Sequence, residues 1–325
     1  MEYIGIEKQR QRNNMRSLCM LVLFPCLMTG LVYLACFILI KSIAWTTNDE
    51  QQSAYSSYQS INMLFVTVLP YVLGGVALWF IIAWFSHTAI IKHATGSQPL
   101  ARQENKRVYN LVENLCMSQG MSMPSVNVIN DDSLNAFASG INRRTYAVTL
   151  TTGIINKLDD EELEAVIAHE LTHIRNRDVR VLIISIVFVG ILSALAQNGF
   201  RILRHMPLGG DRKKNGGGIF FIILIVAIVA AIGYLFASLM RFAISKQREY
   251  MADAGSAQMT RRPWALASAL RKISQDPLVE AIERKDVAQL FIEDPKDASL
   301  RSGNLFGLFS THPPIIRRIA ILEQF

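Results

Sequence analysis

Asp159-Asp160-Glu161-Glu162-Leu163-Glu164-Ala165-Val166-Ile167-Ala168-His169-Glu170-Leu171-Thr172-His173 is the stretch on which the reading of the chain turns. Asp159 followed three residues later by Glu162 is a capping-box pair, so a helix opens here. Residues four apart on a helix share a face, so His169 and His173 can offer two imidazoles to one Zn2+ while Glu170 sits at the edge of the site. Neutral imidazoles make a borderline-soft site suited to zinc. In 325 residues with 6 His, chance produces HExxH in about one such chain in two hundred, which disfavours the plain reading of two paired or exposed histidines on a charged helix.

A catalytic zinc takes a third protein ligand and keeps a position open for water. The candidate is Glu249 in Arg248-Glu249-Tyr250-Met251-Ala252-Asp253. Asp253, one turn on, is spaced to accept the second N–H of a ligand histidine and so fix its tautomer. The plain alternative is an ordinary helix face of mixed charge next to a membrane.

The rest of the chain is unusually apolar. Charged residues make up 18% and hydrophobic ones 51%, against about a quarter charged in soluble domains, which excludes a wholly soluble or a disordered protein. Four runs are long enough to cross a bilayer: Ser17 to Ile40, Ile61 to Phe85, Val179 to Ala196 and Gly218 to Met240. The third is the shortest, and Pro70 with Gly74 and Gly75 should loosen the second. The first run is too long for a signal-peptide core and ends in no small-x-small site, so it is read as an uncleaved anchor. Cys19, Cys26 and Cys36 share that run and Cys116 stands alone, so neither a disulfide framework nor a CxxC metal site is expected.

Basic residues outnumber acidic ones 33 to 26, and they cluster beside the apolar runs, which reads as a positive-inside signature rather than a nucleic-acid surface. Arg10, Arg12 and Arg16 place the N-terminus in the cytoplasm, and Lys92, Arg102, Lys106 and Arg107 return there after two spans. Arg201, Arg204, Arg212, Lys213 and Lys214, between runs three and four, run against that rule. Either they snorkel or those two runs do not fully cross; the two halves of the HExxH site fall on one side in both cases.

The expected architecture is a mainly α membrane protein: about four transmembrane helices and a cytoplasmic α+β zincin-like domain with a small β-sheet. Its parts are a tail with two spans (1–91), a first domain segment with HExxH (92–178), two further spans or a hairpin (179–240) and a second domain segment with the third ligand (241–325). Gln98 to Met117 reads as an amphipathic helix, and Ser125 to Ile129 and Thr145 to Leu150 as strands. The HExxH helix is expected to run through Asp178 into span three. Arg241 to Met259 reads as helix, and Pro263 and Pro313 each open another. Asp276 to Asn304 is polar and loop-like. His87, His93, Trp79 and Trp84 read as interfacial residues.

With these residues in view, the sequence resembles the HtpX-type membrane zinc metalloproteases, gluzincins related to the CAAX-processing and mitochondrial stress proteases. The matching stretches are Asn135-Ala136-Phe137-Ala138-Ser139-Gly140, Thr151-Thr152-Gly153, the HExxH helix, Glu249 to Asp253, and Thr311-His312-Pro313-Pro314 with Arg318. The resemblance implies one zinc per chain, Glu249 as third ligand, Asp253 as partner of a ligand histidine and Glu170 as general base. It also implies Asn135 and Phe137 on the substrate-binding edge, and His312 with Arg318 near the reacting carbonyl. It further implies an integral inner-membrane endopeptidase acting on damaged or misassembled membrane proteins, with the bilayer and polypeptides as partners. Nothing in the sequence indicates an oligomeric state.

Two other readings stand beside it. A site-two-type intramembrane protease needs HExxH inside an apolar span, whereas Asp159 to Glu164 put this one on a charged helix. A silent membrane scaffold stabilised by zinc has no need of the base Glu170.

Overall fold

The computed structural model describes residues 6–46, 54–205, 217–274 and 313–325. In chain order the elements are α1 (Ile6–Thr46), α2 (Ala54–Thr95), β1 (Gln98–Pro99), α3 (Lys106–Ser118), β2 (Ser125–Ile129), β3 (Ala136–Ser139) and β4 (Ala147–Thr151). They continue with α4 (Thr152–Lys157), α5 (Asp160–Asn176), α6 (Asp178–His205), α7 (Gly217–Thr260), α8 (Pro263–Ile273) and α9 (Ile315–Leu322). The mainly helical membrane architecture with a small mixed sheet is the one the sequence predicts.

The chain divides into two compact units. One comprises Met1–Ser17, Phe85–Ile186 and Met240–Phe325, and the other Leu18–Trp84 and Val187–Leu239. The second unit consists of apolar helices. Phe24 stacks on Phe188 at 4.0 Å between ring centroids, with Phe80 5.5 Å from the same ring. Its outer surface shows Met63 77% exposed, Val66 66% and Tyr71 80%, a face that suits hydrocarbon and not water. Among the described residues three helices are long and apolar enough to cross a membrane: Gln11–Ser42, Ser56–Thr95 and Asp178–His205. The fourth expected run lies within α7, where Ile222–Leu235 forms a shorter apolar stretch.

The first unit is built around a four-stranded sheet of order β1-β2-β4-β3. β2 and β4 run parallel from Ser125 opposite Ala147 to Ile129 opposite Thr151, while β1 and β3 pair antiparallel on the two flanks. All five residues of β4 are buried, as a central strand requires. Gly153 lies two residues on, in the first turn of α4, and a Cβ there would run into the Asp132 carbonyl, so this position admits no larger residue.

Helix α5 carries HExxH, and its own cap and two neighbouring helices fix its start. Asp159 Oδ1 accepts from the Glu162 N–H at 2.9 Å while Glu162 accepts from the Asp159 N–H at 3.1 Å, the reciprocal cap that the sequence predicts. Such a cap contributes about 1 kcal/mol. Glu162 also takes Ser268 Oγ at 2.7 Å and Lys272 Nζ at 2.6 Å, which ties α8 to the same end. From α3, Arg107 donates to Asp160 in the first turn of α5 and to the carbonyls of Ile155 and Leu158 just before it, at 2.7 and 2.8 Å.

Three boundaries differ from expectation. The helix expected from Gln98 begins at Lys106, because Gln98 and Pro99 pair with β2 and Asn105 caps the helix by accepting from the Val108 N–H. The HExxH helix stops at Asn176: Arg177 adopts a left-handed φ of 60°, and α6 starts afresh at Asp178. The last helix starts at Ile315 rather than at Pro313.

Helix α7 approaches α5 closely. Ala252 and Ser256 are fully buried, Ser256 Oγ donates to the Ala165 carbonyl at 2.6 Å, and Gly255 lies against Thr172. Any Cβ at Gly255 would overlap the Thr172 side chain, itself held on the Ala168 carbonyl at 2.8 Å. Gly255→Ala is therefore expected to destabilise the protein by about 1–3 kcal/mol, the cost of overpacking, and to lower the thermal midpoint in detergent. Gly190→Ala, where an added Cβ meets nothing within 4 Å, serves as the neutral or slightly stabilising comparison.

Candidate metal centre

The α5–α7 contact brings together side chains that are far apart in sequence. Positions 249, 253 and 256 recur at helical spacing and face α5, so the contact that seats Ser256 and Gly255 also delivers Glu249 and Asp253 to the histidines. His169 Nε2 and His173 Nε2 lie 3.2 Å apart. Glu249 completes the triangle, with carboxylate oxygens 3.6 Å from each of those nitrogens. One donor atom from each of the three residues lies within 4.8 Å of the others, a grouping able to hold a metal ion.

The opposite edge of each ring tests that fit. His169 Nδ1 faces Asp253 Oδ1 at 3.0 Å, and His173 Nδ1 faces Asp178 Oδ2 at 3.2 Å. A ring nitrogen facing a carboxylate carries the proton, so in the neutral imidazoles both Nε2 atoms present lone pairs. Two lone pairs and a carboxylate then converge on one point, which repels a fourth acceptor and attracts a cation. Donors 2.0–2.1 Å from a tetrahedral zinc stand about 3.3 Å apart, close to the spacing observed.

Burial and charge set the ionisation of the group. For His169, burial works to lower the pKa, but the Asp253 and Glu249 carboxylates beside its ring outweigh it and raise it to about 9. Glu170 is 2% exposed; its burial pushes its carboxyl up, opposed by the two histidines and by the Ala138 backbone N–H of β3. Asp253 is pulled below the ordinary carboxylate range despite its burial, because Arg318 and His169 both favour its ionised form.

Each residue singled out in the sequence has a definite place. His169, His173, Glu249, Asp253 and Glu170 come together. Asn135 and Phe137 flank the start of the edge strand β3, but both are fully buried, and Asn135 Oδ1 accepts from the Ala136 N–H at 3.0 Å. Arg318, expected near the reacting carbonyl, is 1% exposed and grips Asp253 with two hydrogen bonds of 2.7 and 2.9 Å. It also lies 3.7 Å from Glu249. The geometry thus makes it a support for the acid behind His169. His312 lies outside the described residues.

Asp178 was missed. In an unbroken helix a residue five positions beyond His173 lies about 140° around the axis, so the reading that ran α5 on into the third span hid it. Only the left-handed turn at Arg177 brings its carboxylate back to the ring.

Most of the chain is similar to known proteins. The sequence pattern of peptidase family M48 matches residues 102–325. A protease HtpX homolog of Bacteroides fragilis is 60% identical over 326 residues, covering both chains fully. Protease HtpX homologs of Streptococcus gordonii and Dictyoglomus turgidum are 36% and 39% identical, over 78% and 77% of this chain and 86% and 82% of theirs. Among solved structures, the crystal structure of S. mikatae Ste24p aligns with a TM-score of 0.45 and 17% identity, over 90% of this chain and 66% of that one. With HExxH and its partner acid gathered at one point and the family pattern spanning both, this chain belongs to peptidase family M48 and is a membrane metallopeptidase.

Proposed function

We propose that the protein is a zinc-dependent endopeptidase of the inner membrane that cleaves damaged or misassembled membrane proteins at its cytoplasmic face. The observation that carries the chemistry is the pair of Nε2 atoms 3.2 Å apart whose Nδ1 partners are both carboxylates. His169, His173 and Glu249 would hold the metal, one zinc per chain. When bound, zinc supplies Lewis acidity, lowering the pKa of the attacking water toward about 7 and polarising the scissile carbonyl.

Glu170 accepts the proton from that water and later passes it to the leaving amine. A carboxyl whose burial raises its pKa suits both steps, since it holds the proton long enough to deliver it. Asp253, with Arg318 behind it, fixes the His169 tautomer and favours Nε2 as donor. β3 is one of the two edge strands of the sheet, and its Ala138 N–H lies near Glu170, so an extended substrate backbone adding along this edge would be brought to the base. The resemblance assigns His312 a hydrogen bond to the oxyanion.

Specific features weigh against the other readings. α5 is not among the helices apolar enough to cross a membrane, which disfavours a site-two-type intramembrane protease. A scaffold that keeps zinc for stability gains nothing from a buried Glu170 beside the ligands. The substrate class and cytoplasmic placement rest on the family resemblance and on the basic residues at the N-terminus and after the second span.

The deciding experiment measures metal content and peptidase activity in detergent. Glu170→Gln is expected to keep near-stoichiometric zinc while losing at least about 10²-fold in turnover, and His169→Ala to lose both. Glu249→Ala should come out largely metal-free, with Asp253→Ala between it and wild type, since hydrogen-bond partners of ligands typically contribute about 10–100-fold in affinity. Unchanged proteolysis in Glu170→Gln would remove the catalytic assignment.

A pH window follows from His169. Its folded pKa of about 9 exceeds the ordinary 6.5, so in chelator-stripped protein its pairing with Asp253 and Glu249 stabilises fully below about pH 6.5. That contribution is lost as pH rises through about 9. Zinc must displace the same proton, so zinc affinity should climb with pH over this window and level off above it. Chelator competition and thermal melts of the stripped protein across the range check both slopes; a flat affinity profile contradicts the assignment.

Sidedness is tested by a membrane-impermeant maleimide on intact cells in a cysteine-free background. Tyr58→Cys should label directly, and Gln103→Cys only after permeabilisation. The reverse pattern would move the site to the other face.

A further inference from the structure

The N-terminal turns of α1, which precede the first apolar run, reach the end of the catalytic helix through Asn13 and Asn14, of which only Asn13 is buried. Asn13 is fully buried although it belongs to a charged stretch with Arg12 and Arg16 on either side. Its Nδ2 donates to Asp178 Oδ1 at 2.6 Å and to the Asn176 carbonyl at 2.9 Å. Its Oδ1 accepts from Arg16 Nη1 at 3.4 Å. This pattern also settles the orientation of the amide: a flipped Asn13 would put its oxygen against a carboxylate and a carbonyl.

Asp178, 2% exposed, is fully engaged in this contact. Oδ1 is taken by Asn13 and Oδ2 faces His173 Nδ1, while its backbone carbonyl accepts from the buried Arg248 at 3.2 Å. The left-handed Arg177 is what turns this acid back toward the ring, a conformation that costs a non-glycine residue about 1 kcal/mol or more and persists only where its surroundings hold it. Asn13 supplies that hold by bonding both flanks of the turn, the Asn176 carbonyl at the end of α5 and the Asp178 carboxylate at the start of α6. The Asn176 carbonyl is one of those a helix end leaves without an intrahelical partner, so the same amide also caps α5.

We infer that Asn13 is a positioning residue for the metal centre, acting through Asp178 on His173, so that the metal affinity of the peptidase depends on the segment preceding its first span. The two ligand histidines are then supported from opposite sides: His169 by Asp253 and the C-terminal Arg318, His173 by Asp178 and the N-terminal Asn13. This inference rests on the zinc-ligand reading of His173.

The test is zinc affinity of the full chain in detergent, by competition with a chelator. Asn13→Ala and Asn13→Leu both remove the amide, and Leu keeps most of its volume should the smaller residue impair folding. Each is expected to weaken zinc binding by roughly 10-fold, and Asp178→Ala by 10- to 100-fold. In an Asp178→Ala background the Asn13 substitutions should add nothing, because the route they act through is gone. Asn14→Ala removes a different contact across the same junction, the 2.9 Å bond from Arg177 to Asn14, and should leave affinity unchanged. Wild-type affinity in both Asn13 variants, or an equal loss with and without Asp178, overturns the inference. An equal loss in Asn14→Ala overturns it too, by reducing the effect to docking of the helix. Retention of zinc by His173→Ala would instead overturn the ligand reading beneath it.

Discussion

Two imidazole nitrogens 3.2 Å apart cannot both aim lone pairs at one point unless positive charge stands there. Much of the architecture of this unit follows from that constraint. Each Nε2 is free to act as a donor only because the other edge of its ring is held by a carboxylate, and each of those carboxylates is held in turn. α5 alone cannot arrange this. The acid behind His169 arrives on α7 and the acid behind His173 on the first turn of α6, so the helix breaks and close approaches around α5 are as much part of the centre as the motif it carries. Gly255 against Thr172 and the left-handed Arg177 are the two positions where the backbone gives way to make it possible.

What could be read in the sequence was local or periodic. The Asp159–Glu162 cap, the shared face of His169 and His173, and the one-turn spacing of Glu249 and Asp253 follow from helical geometry, and each appears in the structure as read. The apolar runs were legible from length alone. What escaped depends on a departure from regularity or on a contact across the chain. Asp178 was hidden by the assumption that α5 continues, and Asn13 by its position in a basic tail where any polar residue looks solvated. The late start of α3 reflects the pairing of Gln98 and Pro99 with β2, a tertiary contact that overrides the amphipathic pattern. The grip of Arg318 on Asp253 could not be read either, since sequence does not show which acid a guanidinium meets.

The charge balance explains why these layers are needed. Around the histidines, Glu170, Asp178, Glu249 and Asp253 are buried acids, and Arg248 and Arg318 the buried guanidiniums, two fewer in number. With neutral imidazoles these buried acids outnumber the buried guanidiniums, and Arg16 adds positive charge beside Asp178. The two upward shifts arise differently: His169 is raised by the Asp253 and Glu249 carboxylates against its burial, and Glu170 by its own burial against the two histidines. A cation at the point where the Nε2 atoms and Glu249 converge would add positive charge there and displace the proton of His169. The elevated histidine, the buried Glu170 and the acids behind the rings therefore meet in one electrostatic arrangement, centred where the Nε2 atoms and Glu249 could hold a metal ion.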